Sequence, residues 1–296
     1  ANGSDLSLAN VVTGETLTMS GSGVLGSPAA GTQTIVNTNT LALADGSGSA
    51  SNYSLVGGTL TMTILPRSTS VTGSRSYDGT QTINPSDLTI FSNLAGSDSL
   101  SFTGSGTVAS ANVGSSKAVT LGSLALDNSS GVGSNYTLST ATVNITQRVL
   151  NLDGIRAYDG STTASSSNIT IGNLVSGENL TLSGSGTVPN NSVEMNKTIT
   201  LGSLTIANGS GGTASNYTLS GGTHTFDISA LSVNITGSRQ YDGTTTISSS
   251  DLSLTNLISG ETIGLSGSGS VTSKNVGANK TVSAGSLALT GSGSGN

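Results

Sequence analysis

The chain has 296 residues, with 15 acidic and 9 basic side chains, no cysteine, no tryptophan and a net charge of -6. Only 8% of the residues are charged, against about 25% in an average soluble domain. This composition excludes disulfides and thiolate zinc sites, and it argues against nucleic acid as a partner, which needs clustered Lys and Arg. No apolar run approaches the ~18 residues of a membrane span, so we expect no membrane insertion.

Three short markers recur along the chain at nearly constant spacing, which identifies a tandem array. The first marker is Arg-x-Tyr-Asp-Gly, at residues 75–79, 156–160 and 239–243. The second is Ser/Thr-Gly-Ser-Gly, which begins at Ser20, Thr103, Ser183 and Ser266. The third is Asn-Tyr, with tyrosines Tyr53, Tyr136 and Tyr217. Together they define one module, whose period along the sequence is 81 between the first two Tyr-Asp-Gly segments and 83 between the last two.

The markers divide the chain into four copies of this module. Residues 1–65 form a front-truncated repeat, 66–147 and 148–229 are complete repeats, and 230–296 form a back-truncated repeat. Because both ends fall inside a module, we expect the chain to be a piece of a longer array. No sub-repeat of about 20 residues is visible inside a module, which disfavours the alternative fold, a β-solenoid.

Each module has the pattern of β-strands. Apolar and polar residues alternate along 231–236 and 60–64, which is typical of half-buried strands, and no comparable helical stripe occurs. The sequence therefore predicts an all-β fold, a tandem array of small β-sandwich-like modules. Only Gln147 and Arg148 separate the apolar stretches of two modules, so we expect an elongated, stiff rod.

In three modules the alternation of apolar and polar residues shifts by one position at a Gly-Ser pair. The glycines of these pairs are Gly122, Gly202 and Gly285. The first module has Asn39 at this place, and asparagine tolerates positive φ better than most residues. An extra residue at a glycine shifts the side-chain phase of a strand, so the pattern predicts a β-bulge.

The Tyr-Asp-Gly segment is typical of a tight turn, since Asp bonds backbone amides and Gly supplies positive φ. The alternative is a calcium ligand or sugar contact. It is disfavoured because calcium takes 6–8 oxygen ligands and each turn offers only one carboxylate. We expect the tyrosine ring to be packed with its hydroxyl in water. The arginine two residues earlier lies on the same strand face, where ring stacking or an ion pair with a module acid is expected.

For the other candidate residues, the sequence favours structural roles. His224 aligns with Leu60 and Ala141, which predicts a strand-surface or rim position rather than a catalytic or metal site. Residues 21–26 match the dinucleotide-binding pattern by chance, because no helix follows. The acids after a module glycine, which are Glu15, Asp98, Glu178 and Glu261, are interpreted as turn acids rather than members of catalytic pairs. No catalytic, cofactor-binding or metal-binding residue is predicted, and no cofactor.

A lysine recurs at a fixed distance after the first glycine of the second marker, as Lys117, Lys197 and Lys280. One hypothesis is an intramolecular isopeptide bond to Asn or Asp, as in some surface adhesins. The alternative, which the sequence favours, is a solvated lysine that protects a strand edge from pairing.

The segments 239–244 and 275–280, with the Ser-Gly-Ser-Gly and Asn-Tyr markers, resemble the YDG repeats of large bacterial surface proteins. The resemblance covers nearly the whole chain, apart from the missing first segment of copy one and the altered lysine motif at 191–197. It implies the stalk of a secreted, filamentous-haemagglutinin-like adhesin at the bacterial cell surface. Because no constellation of residues supports catalysis, we expect no enzymatic activity. The expected partners are adjacent modules of the same chain.

Two further functions stay open at this point. Incomplete end modules could exchange strands, which would make the chain a subunit of an extracellular fibre with like subunits as partners. Thr-x-Thr pairs such as Thr59 and Thr61, or Thr198 and Thr200, raise ice binding as a third function. These pairs do not recur at a short fixed period, which disfavours it.

Overall fold

The structure, a computed structural model, describes residues 1–291, and of Ile90 only the backbone. The described residues form β-strands and single 3-10 turns without an α-helix, so the all-β prediction is confirmed. The last five residues of the predicted fourth repeat, 292–296, lie outside the described residues.

The second module is complete and shows the shared topology. Its strands are β6 (Arg67–Ser76), β7 (Thr82–Ile83), β8 (Leu88–Ser92), β9 (Leu100–Thr103), β10 (Gly106–Val108), β11 (Gly114–Thr120), β12 (Ala125–Asn128) and β13 (Tyr136–Thr146). Six of them form one sheet in the order β7-β10-β11-β13-β6-β8, and β12 pairs with β9 in a second, two-stranded sheet. The 3-10 turns Pro85–Asp87 and Gly133–Asn135 precede β8 and β13.

The third module repeats this arrangement. Its strands are β14 (Arg148–Val149), β15 (Asn151–Ala157), β16 (Thr163–Ser165), β17 (Ile169–Gly172), β18 (Leu180–Ser183), β19 (Ser185–Thr187), β20 (Glu194–Thr198), β21 (Thr205–Asn208), β22 (Tyr217–Thr218) and β23 (His224–Ser229). The main sheet has the order β17-β15-β23-β20, and a bridge between Thr187 and Thr200 links it to the pair β19-β16. Strands β18 and β21 form the second sheet.

The outer modules contain parts of this topology. The first has β1 (Leu17–Ser20), β2 (Val24–Leu25), β3 (Gly31–Asn37), β4 (Ala42–Asp45) and β5 (Thr61–Ile64), paired as β1-β4 and β2-β3-β5. The fourth has β24 (Asn234–Gly237), β25 (Thr246–Ser248), β26 (Leu252–Thr255), β27 (Ile263–Ser266), β28 (Ser268–Val271), β29 (Val282–Ser283) and β30 (Ala288–Gly291), paired as β24-β26, β25-β28-β29 and β27-β30.

The first and last strands of a complete module lie side by side and run in the same direction. β6 and β13 pair in parallel from Arg67 opposite Tyr136 to Ser76 opposite Thr146. Their inward residues alternate with polar ones, and Val71, Val143 and Ile145 are almost fully buried. In the third module β15 pairs in the same way with β23. The chain thus closes each complete module by laying its last strand against its first.

The chain changes sheets at two places that pack against each other. One is the second marker, between β18 and β19, and the other is the Gly-Ser pair between β20 and β21. Gly184 has φ +86°, and a Cβ there would lie 2.2 Å from the carbonyl oxygen of Ser203. The Ser203 hydroxyl in turn accepts a hydrogen bond from the backbone N–H of Ser185 at 3.1 Å. The two markers are therefore the two halves of one crossing between sheets.

The bulge predicted at this Gly-Ser pair is wrong, although the positive φ is confirmed. Gly122, Gly202 and Gly285 have φ between +54° and +56°, and Asn39 has φ +44°. Each lies in a turn that is closed by a backbone hydrogen bond between residues three positions apart. Around Gly202, for example, the N–H of Leu204 donates to the carbonyl of Leu201 at 2.9 Å. The side-chain phase changes because one strand ends and another begins in the other sheet.

The chain separates into two compact units, Ala1–Gln147 and Arg148–Asn296, and the second is described as far as residue 291. Every strand pair among residues 1–291 lies inside one predicted module. A solenoid would pair strands of successive coils, so the solenoid alternative is wrong for the described residues.

Two glycines with the same φ allow the crossing to be tested. Gly184 and Gly177 both have φ +86°, but a Cβ at Gly177 would have no atom within 4 Å. We expect Gly177→Ala to cost about 1–2 kcal/mol of unfolding free energy, through backbone strain alone. Gly184→Ala should cost about 1–3 kcal/mol more, because the Ser203 backbone must move. Equal losses in urea unfolding of the two variants would contradict the packed crossing.

Candidate functional site

The three Tyr-Asp-Gly segments form the predicted turn. In each, the aspartate accepts a hydrogen bond from the backbone N–H two residues later, at 2.8 Å for Asp78, 2.9 Å for Asp159 and 2.9 Å for Asp242. The following glycine has φ between +78° and +83°. Aspartate and glycine therefore act in the way that the turn prediction requires, and the prediction is confirmed.

The arginine two residues before each tyrosine forms an ion pair with the aspartate of the same turn. Arg239 donates to Asp242 at 2.6 Å, and Arg75 and Arg156 contact Asp78 and Asp159. The expected ion pair with a module acid is thus confirmed. Arg156 also lies over the ring of Phe226, 5.8 Å from its centroid. The hydrogen bonds from the N–H and hydroxyl of Thr244, together with Arg239, lower the pKa of Asp242.

The tyrosines of these turns connect three parts of the structure. The backbone N–H groups of Tyr77 and Tyr158 donate to the last carbonyls of the terminal strands, at 2.9 Å and 2.8 Å. The rings of Tyr77 and Tyr158 are buried, as predicted, whereas the ring of Tyr241 is 61% exposed, so the prediction is wrong for Tyr241. The hydroxyl of Tyr158 donates to Glu261 in the next module, so the expectation that it lies in water is wrong for this residue. The turn therefore joins the third and fourth modules within one compact unit.

The Asn-Tyr tyrosines bind the module acids, a pairing that the sequence analysis did not predict. The hydroxyl of Tyr217 donates to Glu178 at 2.7 Å and accepts from the backbone N–H of Val175 at 3.2 Å. Tyr53 with Glu15 and Tyr136 with Asp98 repeat the contact. The acids thus lie in turns, as expected, and anchor each turn to the tyrosine. A signal was present, since the acid and the tyrosine recur at nearly the same separation in all three modules.

These contacts raise the pKa of the tyrosines. For Tyr217, burial is the main cause and the hydrogen bond to Glu178 adds to it. For Tyr53 and Tyr136, the hydrogen bond to the carboxylate is the main cause. In all three, the neutral phenol donates a hydrogen bond to a carboxylate, whose negative charge would repel a phenolate.

The interpretation of the repeated lysine as a solvated edge residue is wrong for Lys197. Its side chain is only 2% exposed, and its Nζ contacts Asn190 at 2.5 Å, Ser192 at 3.3 Å and Glu194 at 2.7 Å. Lys117 lies on β11, which has neighbours on both sides. In the fourth module the Nζ of Lys280 donates to the carbonyl of Ser273 at 2.7 Å. In the third and fourth modules the lysine thus binds the loop that precedes it in the sequence.

His224 is a core residue, so its predicted rim position is wrong. It lies on β23, is buried, and its Nε2 is 2.8 Å from the carbonyl oxygen of Leu219. The counterparts Leu60 and Ala141 are both apolar, and that shared property, rather than their difference in size, was the usable signal. The Nδ1 atom of His224 is buried without a hydrogen-bond partner in the structure.

The remaining features define no further site. The segment 21–26 follows β1 and contains β2, and no helix follows it, as the sequence predicts. Among residues 1–291, no three His, Asp or Glu side chains are grouped closely enough to hold a metal ion. A search of the same residues finds no helix with the length and apolar character of a membrane span.

The raised pKa of Tyr217 predicts a loss of stability at alkaline pH. The folded chain holds the neutral phenol more strongly than the unfolded chain, whose phenol has the ordinary pKa of 10.0. The stabilisation is therefore complete below pH 10 and is lost as the pH rises through the higher folded pKa. We expect Tyr217→Phe to lower the melting temperature at pH 7, corresponding to about 1–2 kcal/mol, and to flatten its fall above pH 10.

Tyr241→Phe, which removes a solvent-exposed phenol, is the matched control for this experiment. Melting curves between pH 7 and 11 check the prediction. An alkaline fall in Tyr217→Phe as steep as in the parent chain would contradict it.

The isopeptide hypothesis can be tested at Lys197, whose Nζ lies against both Asn190 and Glu194. Both partners are exposed, so water competes for their polar groups and the ordinary contacts suffice to hold the lysine. We therefore expect the intact mass of the chain to equal the mass calculated from the sequence. A deficit of one ammonia or one water that disappears in Lys197→Met would establish the crosslink instead.

Comparison with known proteins identifies the repeated unit. The YDG domain family matches residues 58–143, 146–225 and 229–296, and each match contains one Tyr-Asp-Gly turn. No curated protein and no solved structure is significantly similar to the chain. The three matches together span well over half of the residues. The chain therefore belongs to the YDG domain family.

Proposed function

We propose that these modules are structural stalk or spacer repeats of a bacterial cell-surface adhesin, which project a distal binding region away from the cell. The function is mechanical and requires no catalysis or cofactor. The observation that carries the proposal is the parallel pairing of the first and last strands in each complete module. Extracellular location is part of the proposal, and it rests on the resemblance to repeats of large bacterial surface proteins.

The parallel pairing determines how a module responds to tension. A pull on a stalk enters the module at the start of β6 and leaves it at the end of β13. Because the strands are parallel neighbours, these two points lie at opposite ends of the pair, and the force shears the strands along their length. The hydrogen bonds of the whole register from Arg67 to Ser76 are then loaded together rather than one by one. A strand pair loaded in this way resists separation.

Short connections between modules support the same function. A single residue, Gln147, separates β13 from β14, so little slack lies between one loaded strand and the next. Inside Ala1–Gln147, the backbone N–H of Ala30 donates to Asn135 of the following module at 2.8 Å. Inside Arg148–Asn296, Tyr158 contacts Glu261 of the following module. Such contacts limit bending between these neighbours, which a spacer requires.

Single-molecule stretching tests the proposal with a matched pair of variants. Val143 on β13 and Val108 on β10 are both buried, but only Val143 belongs to the parallel pair. Truncation of either to alanine should cost about 1–3 kcal/mol of equilibrium stability. We expect Val143→Ala to lower the unfolding force of the second module and Val108→Ala to leave it nearly unchanged. Each complete module should release about 280 Å of extended chain.

Two results would overturn the mechanical proposal. One is a parent chain that extends at low force without discrete unfolding steps. The other is an equal fall in unfolding force for Val143→Ala and Val108→Ala, because the parallel pair would then not be the element that bears the load.

The second candidate function is a subunit of an extracellular fibre that assembles by strand exchange. It is favoured by β24, which has one neighbour, β26, in the described part of the chain. Filaments in micrographs of the 296-residue chain would support assembly. A mass in light scattering that stays monomeric at all concentrations would exclude it for this chain.

A further inference from the structure

The two complete modules carry their basic residues in strands and not in loops. All of their lysines and arginines lie within strands, and these residues are Arg67, Arg75, Lys117, Arg148, Arg156 and Lys197. The glycine- and serine-rich segments between strands, such as 129–132 and 209–213, contain none. Exposed segments of this composition are the usual sites of proteolytic cleavage. The loops of these modules therefore offer no target to a protease that cuts after lysine or arginine.

Three of these basic side chains are almost fully buried. The side chains of Arg75 and Arg156 are each 7% exposed, and that of Lys197 is 2% exposed. A trypsin-like protease binds the basic side chain that precedes the cut bond in its own S1 pocket. The side chain must therefore leave its place in the module before the protease can bind it. Arg75 and Arg156 share this burial at the same position in the two modules.

The terminal strand alone pairs with the first strand at Arg75 and at Arg156. β8 pairs with β6 over residues 70–73, and β17 pairs with β15 over residues 151–154. In the described part of the chain, the ladder beyond these positions continues only with β13 opposite Arg75 and with β23 opposite Arg156. The guanidinium of Arg156 also lies over the ring of Phe226, which belongs to β23. The terminal strand therefore holds the backbone at both arginines and helps to cover the side chain of Arg156.

Separation of the terminal strand leaves a segment that a protease can bind. Residues 74–76 then lose their strand partner, while the pairing of residues 70–73 with β8 does not depend on the terminal strand. The ion pair between Arg75 and Asp78 spans three positions inside the turn and persists. An ion pair exposed to water contributes only about 0–1 kcal/mol. It therefore does not keep the arginine from the S1 pocket once the terminal strand has left.

We propose that Arg75 and Arg156 are latent cleavage sites for trypsin-like proteases, which the terminal strand closes and which open when this strand separates from the first strand. Cleavage is hydrolysis of the peptide bond after the arginine. The carbon–nitrogen bond breaks, the hydroxyl of water joins the arginine carbonyl carbon, and its proton joins the nitrogen of Ser76 or Ala157. The inference goes beyond the stalk function and does not rest on it, because thermal opening of a module exposes the same bonds.

Digestion of the full 296-residue chain with trypsin, followed by mass spectrometry of the products, tests the proposal. Val143→Ala on β13 and Val108→Ala on β10 are a matched pair, since both residues are buried and only Val143 belongs to the terminal strand. Cleavage of a closed site follows the equilibrium population of its open form. We expect Val143→Ala to speed cleavage after Arg75 by about fivefold or more, and Val108→Ala by about twofold at most.

An arginine placed in a loop supplies the positive control. Ser210 is exposed and lies between Gly209 and Gly211 in the third module. In the folded chain we expect Ser210→Arg to be cut after position 210 about a hundredfold faster than the parent chain is cut after Arg156, because the loop needs no opening of the module. Circular dichroism checks that all variants fold.

Any of three results would overturn the proposal. The first is cleavage of the folded parent chain after Arg75 or Arg156 as fast as in the loop of Ser210→Arg. The second is equal acceleration by Val143→Ala and Val108→Ala, because the terminal strand would then not be what closes the site. The third is a folded Ser210→Arg chain that stays intact, since the resistance at Arg156 could then not be attributed to the terminal strand. The stretching experiment remains a separate test of the stalk function.

Discussion

The parallel contact between the first and last strands of a module is the constraint on which the rest of the fold depends. The terminal strand lies in the interior of the main sheet, with β6 on one side and β11 on the other. It contributes inward residues to the core and accepts the backbone bond of the Tyr-Asp-Gly tyrosine. Because these contacts join residues about 70 positions apart, they form only when the whole intervening chain is in place.

The fourth module shows what this contact contributes. The predicted strand at 231–236 is ordered as a strand only over Asn234–Gly237, whereas the equivalent part of the third module is divided between β14 and β15 and starts at Arg148. Each half of that longer stretch has a parallel partner, β22 or β23. Edge pairing on one side alone thus supports a shorter strand, as expected when half of the ladder bonds are missing.

Within each module, glycine and hydroxyl groups take the place that charged residues often have elsewhere. The crossing between sheets is held by backbone contact at Gly184 and by the Ser203 hydroxyl, and neither depends on ionic strength. The ion pairs of the three Tyr-Asp-Gly turns join residues three positions apart, and the aspartate of each pair is substantially exposed. The pair of Lys197 with Glu194 lies at β20, and its glutamate is exposed as well. A chain with few charged residues can therefore have a well-defined fold, because local backbone geometry determines that fold.

Much of this architecture could be predicted from the sequence, because each sequence pattern recurs in several modules and is therefore easier to recognise. Positive φ at Gly122 and the Asx-type turn at Asp78 follow from local residue preferences. The burial of Lys197 could not be predicted, because it depends on Asn190 in the preceding loop and on Glu194 at the start of β20, which the other modules lack. The link between Tyr158 and Glu261 is between modules, and no periodicity within one module reveals it.

The confinement of strand pairs to single modules has a consequence for how such chains can vary. Removal or duplication of a whole module, from the start of one first strand to the start of the next, divides no hydrogen-bonded strand pair. Recombination between similar repeats in a gene can then change the number of modules in whole steps, while each remaining module keeps its own set of paired strands. The length of an array of such modules can thus change in evolution without a change in the fold of each module.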